Sequence, residues 1–178
     1  MLSVSSPLYD ISKTFEENFS NPSFPTIIPL SRILPGKSQW ISLLGYSLAS
    51  KIGAAACAAT TGKGIALLAQ LGFDVLTYKT IRRQAYPTHP LPNIVHLECE
   101  KLLDYSDLKE VLFTKNKSEK ISDKIAISNS FGNGCLAPKE VMQDIAFAKN
   151  SLTAGQVLIV SVYGEGDSLQ SMSKDFAA

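Results

Sequence analysis

The run at residues 156–163 (QVLIVSVY) constrains the fold of this 178-residue chain more than any other segment. It is nearly continuous in apolar and β-branched residues, which is typical of a strand covered on both faces. Strands of this kind occur in parallel sheets that carry helices on both sides. The run therefore predicts an α/β fold.

A strand–helix–strand unit earlier in the chain supports that prediction. Residues 52–58 form a small apolar run suited to a buried strand, and residues 73–80 indicate a second strand. Between them Thr60 or Thr61 can cap a helix that Gly72 ends. A helix between two buried strands indicates parallel strands joined by a right-handed crossover. The helix places three apolar residues on one face: Ile65, Leu68 and Ala69.

The same pattern repeats towards the end of the sequence. Residues 124–128 predict the next strand, Pro138 suits the first position of a helix, and Gly155 closes that helix. Four parallel strands with their helices are half of an eight-stranded barrel of TIM type, which takes roughly 250 residues. The buried stripe predicted for the helix is Val141, Met142, Ile145 and Ala148. Ser168 begins one more helical pattern, with an apolar face of Leu169, Met172 and Phe176.

We therefore expect two parts in this chain. Residues 1–40 are a lead-in arm, in which residues 9–21 form a short helix or an irregular segment, and residues 41–178 hold the first four strands of a parallel (β/α) barrel. Residues 82–123 indicate an excursion between barrel strands, with Ile94–Leu97 as a short strand. The alternative fold is an open flavodoxin-like sheet that binds a phosphate ligand, and the excursion disfavours it.

Charge and cysteine content argue against several kinds of partner. Seventeen basic and sixteen acidic residues leave a net charge of +1 with no basic face, so nucleic acid is not an implied partner. Cys57, Cys99 and Cys135 are far apart and lack a C-x-x-C pair, which indicates a reducing compartment and no structural metal. The chain starts without a signal-peptide pattern, and charges interrupt its most apolar region, residues 41–76. We expect a cytoplasmic protein that does not bind membranes.

Two side chains at predicted strand ends are the main candidates for chemistry, because strand ends meet at one face of a parallel barrel. Lys79 would point a cation into the barrel mouth, where it can stabilise charge on a reduced flavin or hold a substrate carboxylate. The alternative is that strand alternation turns Lys79 to solvent. Asn129 either offers an amide to a planar heterocycle or serves as a turn residue among glycines. The strand-end segments are residues 56–61, 77–82, 129–135 and 164–167.

Other candidate motifs fail on spacing or context. Residues 60–64 (TTGKG) look like a phosphate loop, but the first glycine of that pattern would fall at Cys57, and no Ser or Thr follows Lys63. We interpret Cys57 as a small buried residue rather than a nucleophile, since no histidine lies near it in sequence. His89 and His96 lie in the proline-rich excursion and are predicted to be loop or surface residues.

Residues 53–83 (GAAACAATTGKGIALLAQLGFDVLTYKTIRR), 127–134 (ISNSFGNG) and 156–166 (QVLIVSVYGEG) resemble the dihydroorotate dehydrogenase family and the flavin half of dihydropyrimidine dehydrogenase. The resemblance covers roughly residues 40–178, and residues 9–19 are similar to the lead-in of bacterial members. It implies an oxidoreductase of pyrimidine (UMP) biosynthesis that binds FMN across the barrel mouth. Dihydroorotate would be oxidised to orotate by hydride transfer to the flavin, while a base removes the neighbouring proton.

The resemblance also implies roles for individual residues. The cofactor-binding residues it assigns are Ala55, Ala56, Cys57, Lys79, Thr80 and Asn129. The substrate-binding residues it assigns are Lys79, Asn129, Phe131, Gly132 and Asn133. Cys57 replaces a glycine that is usual in the family, so a flavin at this strand end would meet a side chain there.

The catalytic base and the glycine-rich phosphate loops of the family would follow residue 178, so we expect this chain to be incomplete and inactive and to bind FMN weakly or not at all. The alternative function is a non-catalytic half barrel that dimerises across its open edges. A homodimer is expected in either case.

Overall fold

The structure is a computed structural model that describes residues 9–21, 32–56, 59–97 and 126–178. In this part of the chain no helix is long and apolar enough to cross a membrane. The elements, in chain order, are α1 (Phe15–Ser20), a 3-10 turn (Lys37–Gln39), β1 (Ile41–Leu43), β2 (Tyr46–Leu48), β3 (Gly53–Ala54), α2 (Gly62–Gln70), β4 (Val75–Ile81), β5 (Ile94–Leu97), β6 (Ala126–Asn129), α3 (Pro138–Asn150), β7 (Val157–Val162) and α4 (Leu169–Phe176).

A parallel sheet of strand order β3-β4-β7 organises the fold. Helix α2 connects β3 to β4 and packs against α3, which precedes β7. The α/β class and the parallel sheet are confirmed. The core between sheet and helices is built from Ala59, Ile65, Leu68, Ala69, Leu76, Tyr78, Cys135, Val141 and Ala148.

The four parallel strands of a half barrel stay a prediction. Among the described residues the parallel sheet has three strands and does not close into a barrel. The strand expected at residues 124–128 appears as β6, which pairs antiparallel with β5 so that Ile94 faces Asn129 and Leu97 faces Ala126. An apolar pattern predicts that a strand forms but carries no information on its pairing partner. The short strand Ile94–Leu97 is confirmed.

The first predicted strand is much shorter than residues 52–58. Only Gly53 and Ala54 pair with β4, because glycine and alanine have low strand propensity. A Cβ atom on Gly53 would lie 2.7 Å from the carbonyl oxygen of Val75, so this close pairing requires a glycine. Cys57 lies outside the described residues. β4 matches residues 73–80 with a small shift of its bounds, and β7 matches residues 156–163.

The helix signals are mostly confirmed. The Thr61 side chain accepts a hydrogen bond from the Gly64 N–H at 3.1 Å and caps α2, Pro138 begins α3, and Ser168 caps α4. Two details are wrong. Met142 is 63% exposed rather than part of the buried stripe, and α3 ends at Asn150, well before Gly155.

Residues 32–49, which include the hairpin β1–β2, contact the amino end of the sheet, at the opposite end from the candidate residues. The antiparallel hairpin β1–β2 was not predicted; it is followed by Ala49, whose N–H donates to the Gly155 carbonyl at 3.0 Å. Gly155 has a φ of 84° and lies in the loop before β7, where a Cβ would be 2.9 Å from that of Ala49. Arg32 forms an ion pair with the buried carboxylate of Asp74, just before β4. The division of the chain at residue 40 stays a prediction.

Candidate functional site

A β-bulge shapes the carboxyl end of β4. Tyr78 pairs with Val160 and Ile81 pairs with Val162, so Lys79 and Thr80 together face one residue of β7. Such an extra residue breaks the strict alternation of side chains and re-aims them locally. The hydroxyl oxygens of Thr80 and Ser161 lie 2.9 Å apart across the bulge. The bulge therefore brings a lysine and a hydroxyl pair to the strand end where the sequence predicted a site.

Lys79 is buried at this end, with 6% of its surface exposed. Its ammonium donates to the Gly134 carbonyl and, at 3.2 Å, to the Thr80 carbonyl. The ring of Phe15, in α1, faces the ammonium with its centroid 4.9 Å from Nζ. The alternative that Lys79 turns out to solvent is therefore wrong.

The segment after β6 forms a tight loop that contacts β4. Gly132 and Asn133 have positive φ values of 71° and 51°, a conformation that glycine and asparagine adopt at least cost. Cys135 exchanges two backbone hydrogen bonds with Tyr86, at 2.7 and 2.8 Å, and the His89 N–H donates to the Phe131 carbonyl at 3.1 Å. The loop is thus held along the proline-rich stretch that follows β4.

Arg82 is a residue of this site that no motif in the sequence indicates. Its Nε donates to the Asn133 carbonyl at 2.9 Å, its Nη2 donates to the Gly132 carbonyl at 3.3 Å, and its Nη1 pairs with Glu165 at 2.9 Å. The only signal in the sequence was a second cation three residues after Lys79, at the end of the same strand.

A half-buried carboxylate in α3 supports the site. Asp144, in α3, accepts hydrogen bonds from the Tyr78 hydroxyl at 2.6 Å and from the Gly62 N–H at 2.5 Å. Burial, followed by the hydrogen bond to Asp144, raises the pKa of Tyr78 well above its usual range. One carboxylate thus joins α3, β4 and the first turn of α2.

The structure brings some of the predicted residues together and not others. Lys79 contacts the loop through Gly134, whereas Asn129 is exposed at the end of β6 and does not line the crevice beside Lys79. Phe131 is half-buried and packs edge-on against Tyr9, with ring centroids 5.4 Å apart. Among the remaining predicted residues, Ala55 and Asn133 are exposed, and Ala56, Thr80 and Gly132 are half-buried.

The crevice beside Lys79 is too small to hold a flavin. The crevice lined by Lys79, Phe15 and Phe19 has a volume of about 10 Å³, which is the space of one water molecule. The three-ring flavin system would need the place that Phe15 takes. A larger cavity of about 270 Å³ lies between α3 and α4 and is lined by Tyr163 among others, but not by Lys79.

Comparison with known proteins bears on this site. Over 178 aligned residues the chain is 34% identical to a dihydroorotate dehydrogenase of Dictyostelium discoideum. The alignment covers 97% of this chain and 48% of that protein, so the chain spans about half the length of the relative it matches. No protein-family model and no solved structure matches the chain. The resemblance to the amino-terminal half of the dihydroorotate dehydrogenase family is thereby confirmed.

Proposed function

We propose that this chain, similar over 97% of its length to part of a dihydroorotate dehydrogenase, contributes flavin- and pyrimidine-facing residues to an FMN-dependent oxidoreductase that converts dihydroorotate to orotate. The observation that supports this best is the contact between Lys79 and the loop that follows Asn129. Two segments that resemble the family in sequence are neighbours in space, although 55 residues separate Lys79 from Gly134. The relative's name implies a flavin cofactor, and FMN is our more specific proposal.

Lys79 would supply the positive charge of the site. An ammonium away from water stabilises a developing negative charge far better than an exposed one does. Asn129 would supply the amide that donates to and accepts from a pyrimidine ring, and its exposure leaves it accessible. Ala55 and Ala56 would leave room for a flat ring at the end of β3.

The proposal requires a change at α1. Phe15 is 3% exposed and lies against Lys79, so flavin contact with this lysine requires the ring to leave. The base that removes the substrate proton stays unassigned.

The test is binding of the flavin and of the reaction product. The chain is titrated with FMN while flavin fluorescence is followed, and orotate is then titrated by calorimetry into the chain saturated with FMN. We expect weak FMN binding, and orotate binding that Lys79→Met abolishes. Lys63→Met, at an exposed lysine in α2, is the matched control and should behave as wild type. Absence of orotate binding at saturating flavin would contradict the proposal.

A second candidate function is self-association without catalysis, which the free edge of β7 favours. No described strand pairs with β7 on the side away from β4. Apolar residues near this edge are unusually exposed, with Ile159 at 40% and Val162 at 54%. Sedimentation velocity should then show a dimer that Val162→Glu dissociates, and a wild-type monomer at high concentration would argue against this candidate.

A further inference from the structure

Three successive carbonyl oxygens, those of residues 132–134, accept hydrogen bonds from two cations at the end of β4. Arg82 donates to the Gly132 and Asn133 carbonyls at 3.3 and 2.9 Å, and Lys79 donates to the Gly134 carbonyl. Charge-assisted hydrogen bonds of this kind are roughly twice as strong as neutral ones. The conformation of this turn is therefore coupled directly to the position of β4.

Contacts from outside the turn add to its local preference. Gly132 and Asn133 are two successive residues with positive φ, which glycine and asparagine adopt more readily than other residues. A Cβ on Gly132 would lie 2.5 Å from the His89 ring, so the turn has little room to shift towards that side. The surrounding groups therefore fix the position of a turn that its own residues already favour.

Arg82 is itself held rigidly. Its guanidinium carbon lies 3.8 Å from the centroid of the Tyr86 ring and 4.5 Å from that of Tyr163. Its side chain is 9% exposed, and Glu165, which pairs with it, belongs to the segment after β7. One planar side chain thus links the segments that follow β4, β6 and β7.

We infer that Arg82 is a positioning residue: it holds the turn at residues 132–134 and thereby sets where Asn129 and Phe131 present themselves to a pyrimidine. This inference rests on the proposed function, since it gives that function a further residue. The planar fork of arginine reaches two carbonyls and one carboxylate at once, which the point charge of lysine cannot do. Losing the fork should therefore loosen the turn even where the positive charge is kept.

The test compares Arg82→Gln and Arg82→Lys with Arg83→Gln. Arg83 is the neighbouring arginine; its side chain is 60% exposed and lies 3.7 Å from Asp175. Hydrogen exchange of residues 130–135 is measured by mass spectrometry in the full chain. Orotate binding in the presence of FMN is measured in parallel by calorimetry.

We expect faster exchange in residues 130–135 for both Arg82 variants, with exchange in β4 and α3 unchanged, which excludes general unfolding. The dissociation constant for orotate should rise about tenfold or more, which corresponds to the loss of roughly one charge-assisted hydrogen bond. Arg83→Gln should match wild type in every measurement. Exchange or orotate affinity in the Arg82 variants equal to wild type would overturn the inference.

The outcomes also separate this inference from the proposed function. If the wild-type chain does not bind orotate in the presence of FMN, the proposed function fails and the role of Arg82 fails with it. If the wild-type chain binds orotate and the Arg82 variants keep the same affinity, only the role of Arg82 is refuted.

Discussion

The ring of Phe15 lies over the ammonium of Lys79, with its centroid 4.9 Å from Nζ. α1 is a short helix with a capping box between Thr14 and Glu17, so backbone N–H groups of its first turn find hydrogen-bond acceptors within the same segment. Tyr9, from the same arm, packs on Phe131. The arm thus covers both the lysine and the loop that the proposed function assigns to ligand binding.

Replacing Phe15 with alanine should raise the affinity for FMN. The substitution removes a cation–π contact worth about 0.5–2 kcal/mol, so the dissociation constant should fall by a few-fold to about thirtyfold. Flavin fluorescence quenching measures the affinity, and acetylation of Lys79 followed by mass spectrometry measures its exposure independently.

Phe147→Ala is the control for that experiment, because Phe147 is 48% exposed on α3 and does not line the crevice at Lys79. It should change neither FMN affinity nor the acetylation rate of Lys79. Tight, stoichiometric FMN binding by the wild-type chain would show that Phe15 does not block the site.

Docking of the arm should weaken at high pH. Burial, followed by the negative charge of Glu16, raises the pKa of Tyr9 to about 12 from 10.0. The folded arm therefore favours the protonated phenol. Its contribution to stability is complete below about pH 10, the ordinary tyrosine pKa, and is lost as pH rises through about 12.

Tyr9→Phe is the matched variant for this pH dependence, since it keeps the ring contact with Phe131 and removes the ionisable hydroxyl. Urea unfolding at a series of alkaline pH values, followed by circular dichroism, should show a smaller loss of stability in the variant than in wild type. Equal losses in the two proteins would mean that Tyr9 ionises as readily when docked as when free.

Asp144→Ala should lower the free energy of unfolding by about 2–4 kcal/mol, because two buried donors lose their acceptor and each unsatisfied group costs about 1–3 kcal/mol. The donors are the Tyr78 hydroxyl and the Gly62 N–H. Asp144→Asn keeps one acceptor oxygen and should lose less. Gln143→Ala, at the exposed neighbouring position, should stay within about 0.5 kcal/mol of wild type, as surface substitutions usually do.

The sequence predicted the parts of the fold whose signals are local. Thr61 and Pro138 mark helix starts through their own side chains, and both predictions are confirmed. Strand direction is not local, so the antiparallel pairing of β6 was missed. The role of Arg82 could not be predicted for a related reason. Its carbonyl partners lie about fifty residues away in sequence, and every residue carries a backbone carbonyl, so no residue type marks them.

For Lys79, the sequence predicts its position at a strand end but not its contacts. Its position at a strand end predicted a functional cation, and its burial is consistent with that hypothesis. Its contact with Phe15 depends on how an arm more than sixty residues earlier folds back, which no periodicity reveals. The roles of Asn129 and the other predicted binding residues stay predictions.

Arg32→Met should destabilise the fold without affecting the candidate site. The Asp74 side chain is 3% exposed, and removing its cationic partner leaves a buried unpaired charge, which costs about 3–5 kcal/mol. Arg32 also donates to the Thr153 hydroxyl at 3.1 Å and to the Ala154 carbonyl at 3.2 Å, so the arm before β1 and the loop before β7 should loosen together.

Urea unfolding followed by the fluorescence of Trp40, the single tryptophan, measures this loss. The double variant Arg32→Met with Asp74→Asn should recover part of it, because the buried charge is then removed as well. FMN affinity should not change, since the ion pair lies at the amino end of β4 and Lys79 near its carboxyl end. A single variant as stable as wild type would show that Asp74 does not need Arg32, and that the arm is not anchored to the sheet through this pair.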